Sequence, residues 1–306
     1  MRKLGRIVQC VPGFRRLDRY LCYRYTGNYN QEPYPRGHYY SPLPDISEVQ
    51  SHAPGLFPGE ANLGPSIDLK PALQRLLLTK LAPYYSDFKW PETPAKEFRF
   101  HLQQSLFCCG DAVILHAMLR HFKPKRVIEA GSGFTSALML DIDERFLQRQ
   151  THFTFIEPFP ERLLSLLHDE DLEKSTLIGD KLQNVPLATF HRLEANDILF
   201  VDSSHVSKIG SDVNRIVFDI LPILKPGVLV HFHDVLWPFE YPMWWIVEGK
   251  AWNEAYLLRA FLQYNSHFEI VLFNSFVGHT FKEFIESSMP IFLRNTGGSL
   301  WLRKIF

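Results

Sequence analysis

The sequence predicts an α/β protein with a doubly wound, mostly parallel sheet of seven strands and an antiparallel edge strand. From residue 111 onward, short β-branched or aromatic runs alternate with helical patterns, which is typical of parallel strands covered by helices on both faces. The last two extended runs, 267–276 and 298–305, have no strong helical pattern between them. Such neighbours favour an antiparallel pair at one edge of the sheet.

The elements follow one another in a regular order. An amphipathic pattern predicts a first helix over 66–82, with Ser66 or Asp68 near its start. Beyond it, buried-strand composition occurs in the runs 126–130, 152–158, 175–180, 197–205 and 227–235. Helical periodicity occurs in the runs 111–122, 135–146, 161–169, 211–224 and 251–265. The alternation places the whole sheet beyond residue 110.

The front of the chain has a different character. Residues 27–71 contain eight prolines, which remove backbone donors and disfavour helices. We expect irregular structure there, and its aromatic residues indicate that it wraps another surface. The change of pattern predicts an accessory region at 1–110, acting as a lid or in oligomerisation, and one α/β domain at 111–306.

Composition excludes several classes of protein. The 33 Lys and Arg residues balance 33 Asp and Glu residues, whereas a nucleic-acid-binding domain usually has a basic surplus. Four cysteines, of which Cys108 and Cys109 are adjacent, are too few and too badly spaced for a disulfide framework or a zinc knuckle. No run approaches the roughly 18 apolar residues of a spanning helix, and the basic N-terminus lacks the long apolar core of a secretory signal. We therefore expect a cytoplasmic protein whose partner is a small molecule, with any homo-oligomer contact made through the N-terminal region.

Polar residues end each of the five predicted parallel strands. These strand ends are Glu129, Glu157, Asp180, Asp202 and the pair His233–Asp234. Because ligands of an open parallel sheet bind beyond the carboxyl ends of its strands, we expect these side chains to line one site. One acidic strand end is common by chance, but a series of them indicates a binding site.

The first strand runs into the sequence E-A-G-S-G, residues 129–133. Gly131 and Gly133 permit a tight turn and a close approach of ligand to backbone before a helix begins. A dinucleotide site would need a third glycine or an alanine where Ser136 stands, and Glu129 would repel a pyrophosphate. The pattern favours a ligand without phosphates. Glu157 would accept hydrogen bonds from the hydroxyl groups of its ribose, and Asp180 would lie beside its adenine.

These motifs resemble those of the class I S-adenosylmethionine-dependent methyltransferases, a Rossmann-like superfamily. V-I-E-A-G-S-G is similar to the first motif of that superfamily, F-I-E-P to its ribose-binding acid, and L-K-P-G-V-L-V to the segment that leads into its fifth strand. The resemblance implies a sulfonium cofactor held over Gly131–Gly133, with Glu157 on its ribose. Together with the polar strand ends, this predicts an S-adenosylmethionine site formed by Glu129, Gly131, Ser132, Gly133, Glu157, Asp180 and Asp202. Asp111, before the first strand, is predicted to cap its helix, with the ammonium group of the cofactor as its alternative partner.

A second set of residues follows the fourth and fifth strands, as D-S-S-H (202–205) and H-F-H-D (231–234). The order resembles the metal-dependent catechol-type O-methyltransferases, and by position Asp202, His233 and Asp234 match their metal ligands. His205 falls where those enzymes have a lysine base. Imidazole among the ligands favours Mn²⁺, Fe²⁺ or Zn²⁺ over Mg²⁺, and a metal-free site is the alternative.

We therefore predict a methyltransferase for small molecules, with Asp202, His205 and His233 as catalytic residues and either histidine as the base. Oxygen is the expected acceptor atom, because the site is rich in bases, and nitrogen is the second. A metal-dependent hydrolase or lyase on the same scaffold is one rival, and a non-catalytic protein that kept the cofactor fold is another. The aromatic run 235–245 either covers the substrate or packs on the following helix.

Overall fold

The computed structural model describes residues 34–56, 66–107 and 109–306. The chain divides into two compact units, Met1–Leu56 and Phe57–Phe306. The described part of the first unit holds two short helices, α1 (Ile46–Ser51) and α2 (Ala53–Leu56). Asp45 caps α1 by accepting hydrogen bonds from the backbone N–H groups of Ser47 and Glu48. The basic N-terminus, Cys10, Cys22 and Cys108 lie outside the described residues.

The second unit contains a seven-stranded sheet with the order β3-β2-β1-β4-β5-β7-β6. Its strands are β1 (Arg126–Ala130), β2 (His152–Ile156), β3 (Ser175–Ile178), β4 (Ile198–Val201), β5 (Leu229–Phe232), β6 (Phe268–Phe273) and β7 (Leu300–Lys304). Strands β1 to β5 pair in parallel, and β7 pairs antiparallel with both β5 and β6. The predicted fold class, Rossmann-like with an antiparallel pair at one edge, is confirmed. The antiparallel strand itself, β7, lies one place in from the edge.

The core of this unit lies on both faces of the central strands. All four residues of β4 and of β5 are buried, because the strands consist of apolar and aromatic residues with helices on each side. The helices are α3 (Pro71–Leu81), α4 (Cys109–Phe122), α5 (Phe134–Phe146), α6 (Glu161–Leu166), α7 (Asp171–Lys174), α8 (Leu187–Phe190), α9 (Asp212–Arg215), α10 (Leu221–Ile223), α11 (Met243–Val247), α12 (Glu254–Leu262), α13 (Asn274–Thr280) and α14 (Lys282–Ser288). A π-helical turn, Ile216–Ile220, joins α9 to α10, so the segment predicted as a helix at 211–224 is helical from Asp212 to Ile223 but not uniform.

Strand order determines where a ligand can bind. From β1 the chain moves outward to β2 and β3, and it then returns to place β4 on the other side of β1. The reversal opens a crevice above the carboxyl ends of β1 and β4, which is the position where doubly wound sheets hold their ligands. The residues predicted for the site follow these strands.

The connection between the last two strands differs from the sequence prediction. The expected absence of a helix there is wrong, because α13 and α14 lie between β6 and β7, and β6 ends at Phe273 rather than at 276. Both helices have only seven residues, so neither gives the long periodic pattern by which a helix is recognised in a sequence. The antiparallel pairing of β6 with β7 forms all the same.

Residues 66–107 pack against the sheet. Gln74 of α3 is fully buried and accepts a hydrogen bond from the backbone N–H of Phe273 at 2.9 Å. The guanidinium of Arg99, also buried, makes a two-pronged ion pair with Asp171 at 2.7 Å and donates to Asp141 at 2.8 Å. The compact units divide after Leu56. The predicted division into an accessory region at 1–110 and an α/β domain at 111–306 stays a prediction.

Within residues 34–56, 66–107 and 109–306, no helix combines the length and the apolar character needed to cross a bilayer.

Candidate active site

The turn after β1 is closely held by the two neighbouring strands. Gly131 has φ +82°, and its N–H donates to the carbonyl of Ile156 at 3.0 Å. A Cβ atom on Gly131 would lie 1.7 Å from the carbonyl oxygen of Asp202, so only glycine fits between β1 and the end of β4. The turn and Asp202 are therefore in direct contact.

Glu157 follows β2 and is fixed by two backbone donors. Its Oε2 accepts from the N–H of Ser132 at 3.1 Å, and its Oε1 accepts from the N–H of Phe159 at 2.9 Å. The residue is half-buried. A carboxylate has about four acceptor positions, so each oxygen of Glu157 can still accept a hydrogen bond from a ligand.

Helix α5 begins directly after this turn. The N–H of Gly133 donates to the hydroxyl of Ser136 at 2.9 Å, which fixes the first turn of the helix. A Cβ atom on Gly133 would lie 3.3 Å from the side chain of Arg162. Backbone N–H groups of the turn and the helix end thus meet beside Glu157, and together they form a cradle above β1.

Glu129 lies below the cradle rather than in it. Its side chain is completely buried and accepts hydrogen bonds from the hydroxyl groups of Thr135 and Ser136. Burial raises the pKa of Glu129 to about 8 in spite of these hydrogen bonds. The carboxyl group therefore connects β1 to α5, and its contact with a cofactor stays a prediction.

Asp180 lies at the outer side of the sheet, two strands from β1. It is exposed and accepts hydrogen bonds from the Asn184 side chain at 2.8 Å and from the N–H of Lys181 at 2.7 Å, and these lower its pKa. Its proposed place beside an adenine stays a prediction.

The residues that follow β4 and β5 converge, as their positions in the sequence predict. Asp202 Oδ1 lies 3.5 Å from Nε2 of His205 and 3.4 Å from Nδ1 of His233. The carboxylate of Asp234 lies 3.8 Å from each of these two nitrogens. We call these four residues the imidazole–carboxylate cluster. Its histidines are buried, whereas the side chains of Asp202 and Asp234 are 29% and 22% exposed, so the open side of the cluster is carboxylate.

Opposite charges control ionisation in the cluster. Burial would lower the pKa of His205, but the carboxylates of Asp202 and Glu254 outweigh it and raise that pKa to about 10. His233 responds in the same way, mainly to Asp202 and Asp234, so its pKa is raised well above the usual value. Burial would raise the pKa of Asp202, yet the two imidazoles hold it well below its ordinary range. At neutral pH the cluster therefore contains imidazolium–carboxylate pairs.

Three neighbours of the cluster were missed or misplaced by sequence analysis. Glu254, the first residue of α12, accepts a hydrogen bond from Nδ1 of His205 at 2.9 Å. Trp252 packs its ring on that of His205 with 4.4 Å between centroids. Asp111 lies 3.4 Å from His233 Nε2 and accepts hydrogen bonds from the backbone N–H groups at 298 and 299. The predicted capping position is wrong, because α4 begins at Cys109 and Asp111 lies inside its first turn.

The backbone at the cluster is strained. His205 and Asp234 both have φ +57°, in the left-handed region that side chains other than glycine rarely adopt. Holding a residue there costs about 1–3 kcal/mol, and such residues concentrate at functional sites. Both strand ends of the cluster therefore carry backbone strain.

The predicted metal ligands Asp202, His233 and Asp234 were tested as a metal centre. In the part of the chain that the structure describes, no group of three or more His, Cys, Asp or Glu side chains has an arrangement that could hold a metal ion. The ring nitrogens of the two histidines instead face carboxylates.

Comparison with known proteins decides the family. Residues 128–235, which run from β1 to the end of the cluster, match a family described as a methyltransferase domain. An uncharacterized protein from Archaeoglobus fulgidus is 33% identical over 172 residues, which cover 54% of this chain and 76% of that protein. The family match identifies a methyltransferase domain in this chain, and its Rossmann-like sheet makes it a class I S-adenosylmethionine-dependent methyltransferase.

The methyltransferase is also similar to solved structures. The SAH-bound methyltransferase PaMTH1 of Podospora anserina is 16% identical, with 81% of this chain and 100% of that chain covered and a TM-score of 0.40. The O-methyltransferase TomG from Streptomyces achromogenes, solved in complex with SAM, is 15% identical, with coverages of 85% and 96% and a TM-score of 0.40.

The cradle of this methyltransferase fits its cofactor. A Cβ atom at Gly131 would collide with the backbone of Asp202, and one at Gly133 would press on the side chain of Arg162, so the turn is closely packed at both glycines. Glu157 presents acceptors at the rim, and the buried hydroxyl of Ser203, directly after Asp202, has no hydrogen-bond partner among the described residues. An unpartnered buried hydroxyl is costly in the protein alone, and a bound polar ligand would satisfy it.

Proposed function

We propose that this methyltransferase transfers the methyl group to a hydroxyl oxygen of a small molecule, with His205 as general base. When bound, S-adenosylmethionine supplies an electrophilic methyl group on its sulfonium. The observation that carries the proposal is the contact between the cradle and the cluster, where Gly131 packs on the carbonyl of Asp202. A methyl donor held in the cradle would therefore lie beside the proton acceptors of the imidazole–carboxylate cluster.

The residues of the chain would act mainly by alignment. Glu157 would accept hydrogen bonds from the ribose hydroxyl groups. The turn at 131–133 would hold the methyl donor above the crevice between β1 and β4. In-line displacement depends on the orientation of the two reactants, and ideal alignment can contribute roughly 7–11 kcal/mol. Asp202 would border both reactants, because its backbone contacts the cradle and its carboxylate belongs to the cluster.

Geometry favours His205 over His233 as the base. Nδ1 of His205 is occupied by Glu254, while Nε2 faces the partly exposed carboxylates of Asp202 and Asp234. His233 has carboxylates on both sides of its ring, including the buried Asp111. A substrate hydroxyl that enters from the open side therefore meets Nε2 of His205 more directly.

The front of the chain would help to form the acceptor side of the site. The ring of Phe107 packs on that of His233 with 5.2 Å between centroids, and His101 packs on Phe134 at the start of α5 with 5.4 Å. These contacts support our proposal that part of the accessory region 1–110 determines acceptor specificity. Its action as a lid or in oligomerisation stays a proposal.

The direct test is transfer of labelled methyl groups from S-adenosylmethionine to a pool of phenolic, alcoholic and amine acceptors. We expect label in an O-methyl ether and S-adenosylhomocysteine as the second product. Label found only on nitrogen would support the N-methyltransferase alternative. Hydrolysis or elimination without methyl transfer would support the hydrolase or lyase alternative. Loss of transfer in EDTA, restored by Mg²⁺, Mn²⁺, Fe²⁺ or Zn²⁺, would show that Asp202, His233 and Asp234 hold a metal after all.

The pH dependence follows from the basicity of His205. A base must be unprotonated, and the pKa of His205 is raised to about 10, so the competent fraction grows as pH rises toward that value. We expect kcat/KM to increase about tenfold per pH unit between pH 7 and 9 and to level off near pH 10. The measurement is a pH series with S-adenosylmethionine saturating. A flat profile over pH 7–9 would contradict proton removal by His205.

A further inference from the structure

The segment before and at the start of α12, Trp252–Glu254, holds the backbone of His205. The N–H groups of Asn253 and Glu254 both donate to the carbonyl oxygen of His205, at 3.1 and 3.2 Å. The side chain of Asn253 accepts from the N–H of Ser207 at 2.6 Å and donates to its carbonyl at 3.3 Å. Four hydrogen bonds thus hold residues 205–207 in place, which explains how His205 keeps its left-handed backbone.

The same segment also holds the ring. Trp252 covers one face of the imidazole, and Glu254 accepts from Nδ1 at 2.9 Å. An imidazole with Nδ1 committed as a donor has its other nitrogen, Nε2, oriented toward Asp202 and Asp234. Backbone, ring plane and nitrogen orientation of His205 are therefore all determined by three consecutive residues.

Glu254 is placed unusually for a residue at a helix start. An acidic residue there generally remains in solvent and interacts with the helix dipole. Glu254 is instead 1% exposed, and its Oε1 has no hydrogen-bond partner among the described residues. A buried carboxylate is costly unless a charge or hydrogen bond compensates it, and His205 supplies the compensation. A buried ion pair of this kind contributes little to the free energy of unfolding. Its presence at the cluster therefore points to a role other than stability.

We infer that Glu254 is a positioning residue for catalysis, which holds the proton on Nδ1 of His205 and thereby presents Nε2 to the acceptor hydroxyl. The inference rests on the proposed function, in which His205 is the base. During transfer, Nε2 takes the hydroxyl proton as the oxygen–methyl bond forms and the sulfur–methyl bond breaks. The carboxylate of Glu254 stabilises the imidazolium so produced without touching either reactant.

The test is Glu254→Gln, which keeps the size of the side chain and removes its charge. We expect the plateau value of kcat, measured above pH 10 where His205 is unprotonated, to fall about tenfold or more. A general base contributes about 10²–10⁴-fold, and this change weakens the base without removing it. The KM for S-adenosylmethionine and the Kd of S-adenosylhomocysteine should stay unchanged. Glu254→Asp should recover part of the lost kcat. The matched control is Glu269→Gln, because Glu269 of β6 accepts a hydrogen bond from Lys70 and does not contact His205.

The outcomes separate this inference from the proposed function. If His205→Gln is inactive while Glu254→Gln has the kcat of the natural enzyme, Glu254 has no positioning role. If His205→Gln is itself active, the proposed base is wrong. Should Glu254→Gln fail to fold, ¹⁵N spectra of histidine-labelled natural enzyme answer the question. Recorded above pH 10, where the ring of His205 is neutral, these spectra should show the proton on Nδ1 and none on Nε2. A neutral ring that carries its proton on Nε2 would overturn the inference.

Discussion

Replacing His205 by glutamine is expected to lower kcat by about 10²- to 10⁴-fold, which is the usual contribution of a general base. Glutamine keeps a polar side chain of similar length but cannot accept a proton at accessible pH. Binding of S-adenosylhomocysteine should be unchanged, because the cradle is formed by the ends of β1 and β2 rather than by His205. Labelled methyl transfer measures the first quantity and calorimetry the second.

His191→Gln is a suitable control, since His191 is exposed and contacts the carbonyl of Ile223 away from the cluster. That variant should behave as the natural enzyme. A kcat of His205→Gln within threefold of the natural value would assign proton removal to another group, and His233 would then be the next residue to test.

Glu157→Gln is expected to weaken S-adenosylhomocysteine binding by roughly 100-fold. Hydrogen bonds to a charged group are worth about 1.5–3 kcal/mol each, and a factor of ten in affinity corresponds to about 1.4 kcal/mol. The amide would also turn an N–H donor toward the N–H of either Ser132 or Phe159, which now donates to the carboxylate. Both the weaker hydrogen bonds and the opposed N–H groups lower the affinity for the cofactor, and neither changes binding of the methyl acceptor.

Calorimetric titration with S-adenosylhomocysteine measures this loss. Glu161→Gln provides the control, because Glu161 is exposed at the start of the next helix, α6. Unchanged affinity in Glu157→Gln would mean that the ribose is held elsewhere, and the assignment of the cradle would fail with it.

The sheet and the cluster could be predicted because both depend on short-range patterns. Buried parallel strands are continuous apolar runs, and their carboxyl ends meet at one edge of the sheet. Asp202 and His233 are therefore neighbours in the structure because each follows one of two adjacent parallel strands, β4 and β5.

Contacts between distant segments could not be predicted in this way. Glu254 and His205 are 49 residues apart in the sequence. An acidic residue at a helix start is already explained by its interaction with the helix dipole, so the sequence gives no reason to look for a histidine partner. The position of β7 between β5 and β6 depends on two short helices whose patterns are weak. The two compact units divide after Leu56 because Arg99 and Gln74 make buried contacts with the sheet unit, which composition alone does not reveal.

The ion pairs of Arg99 restrict how this protein can be cut and recombined. Asp141 belongs to α5 and Asp171 to α7, and both are buried with the guanidinium between them. A shortened chain that started at residue 111 would leave two anions inside the protein without their cation, and breaking a buried pair of this kind costs about 3–5 kcal/mol. The segment that carries Arg99 is thus part of the folding unit of the enzyme, and it cannot be exchanged between relatives as an independent cassette.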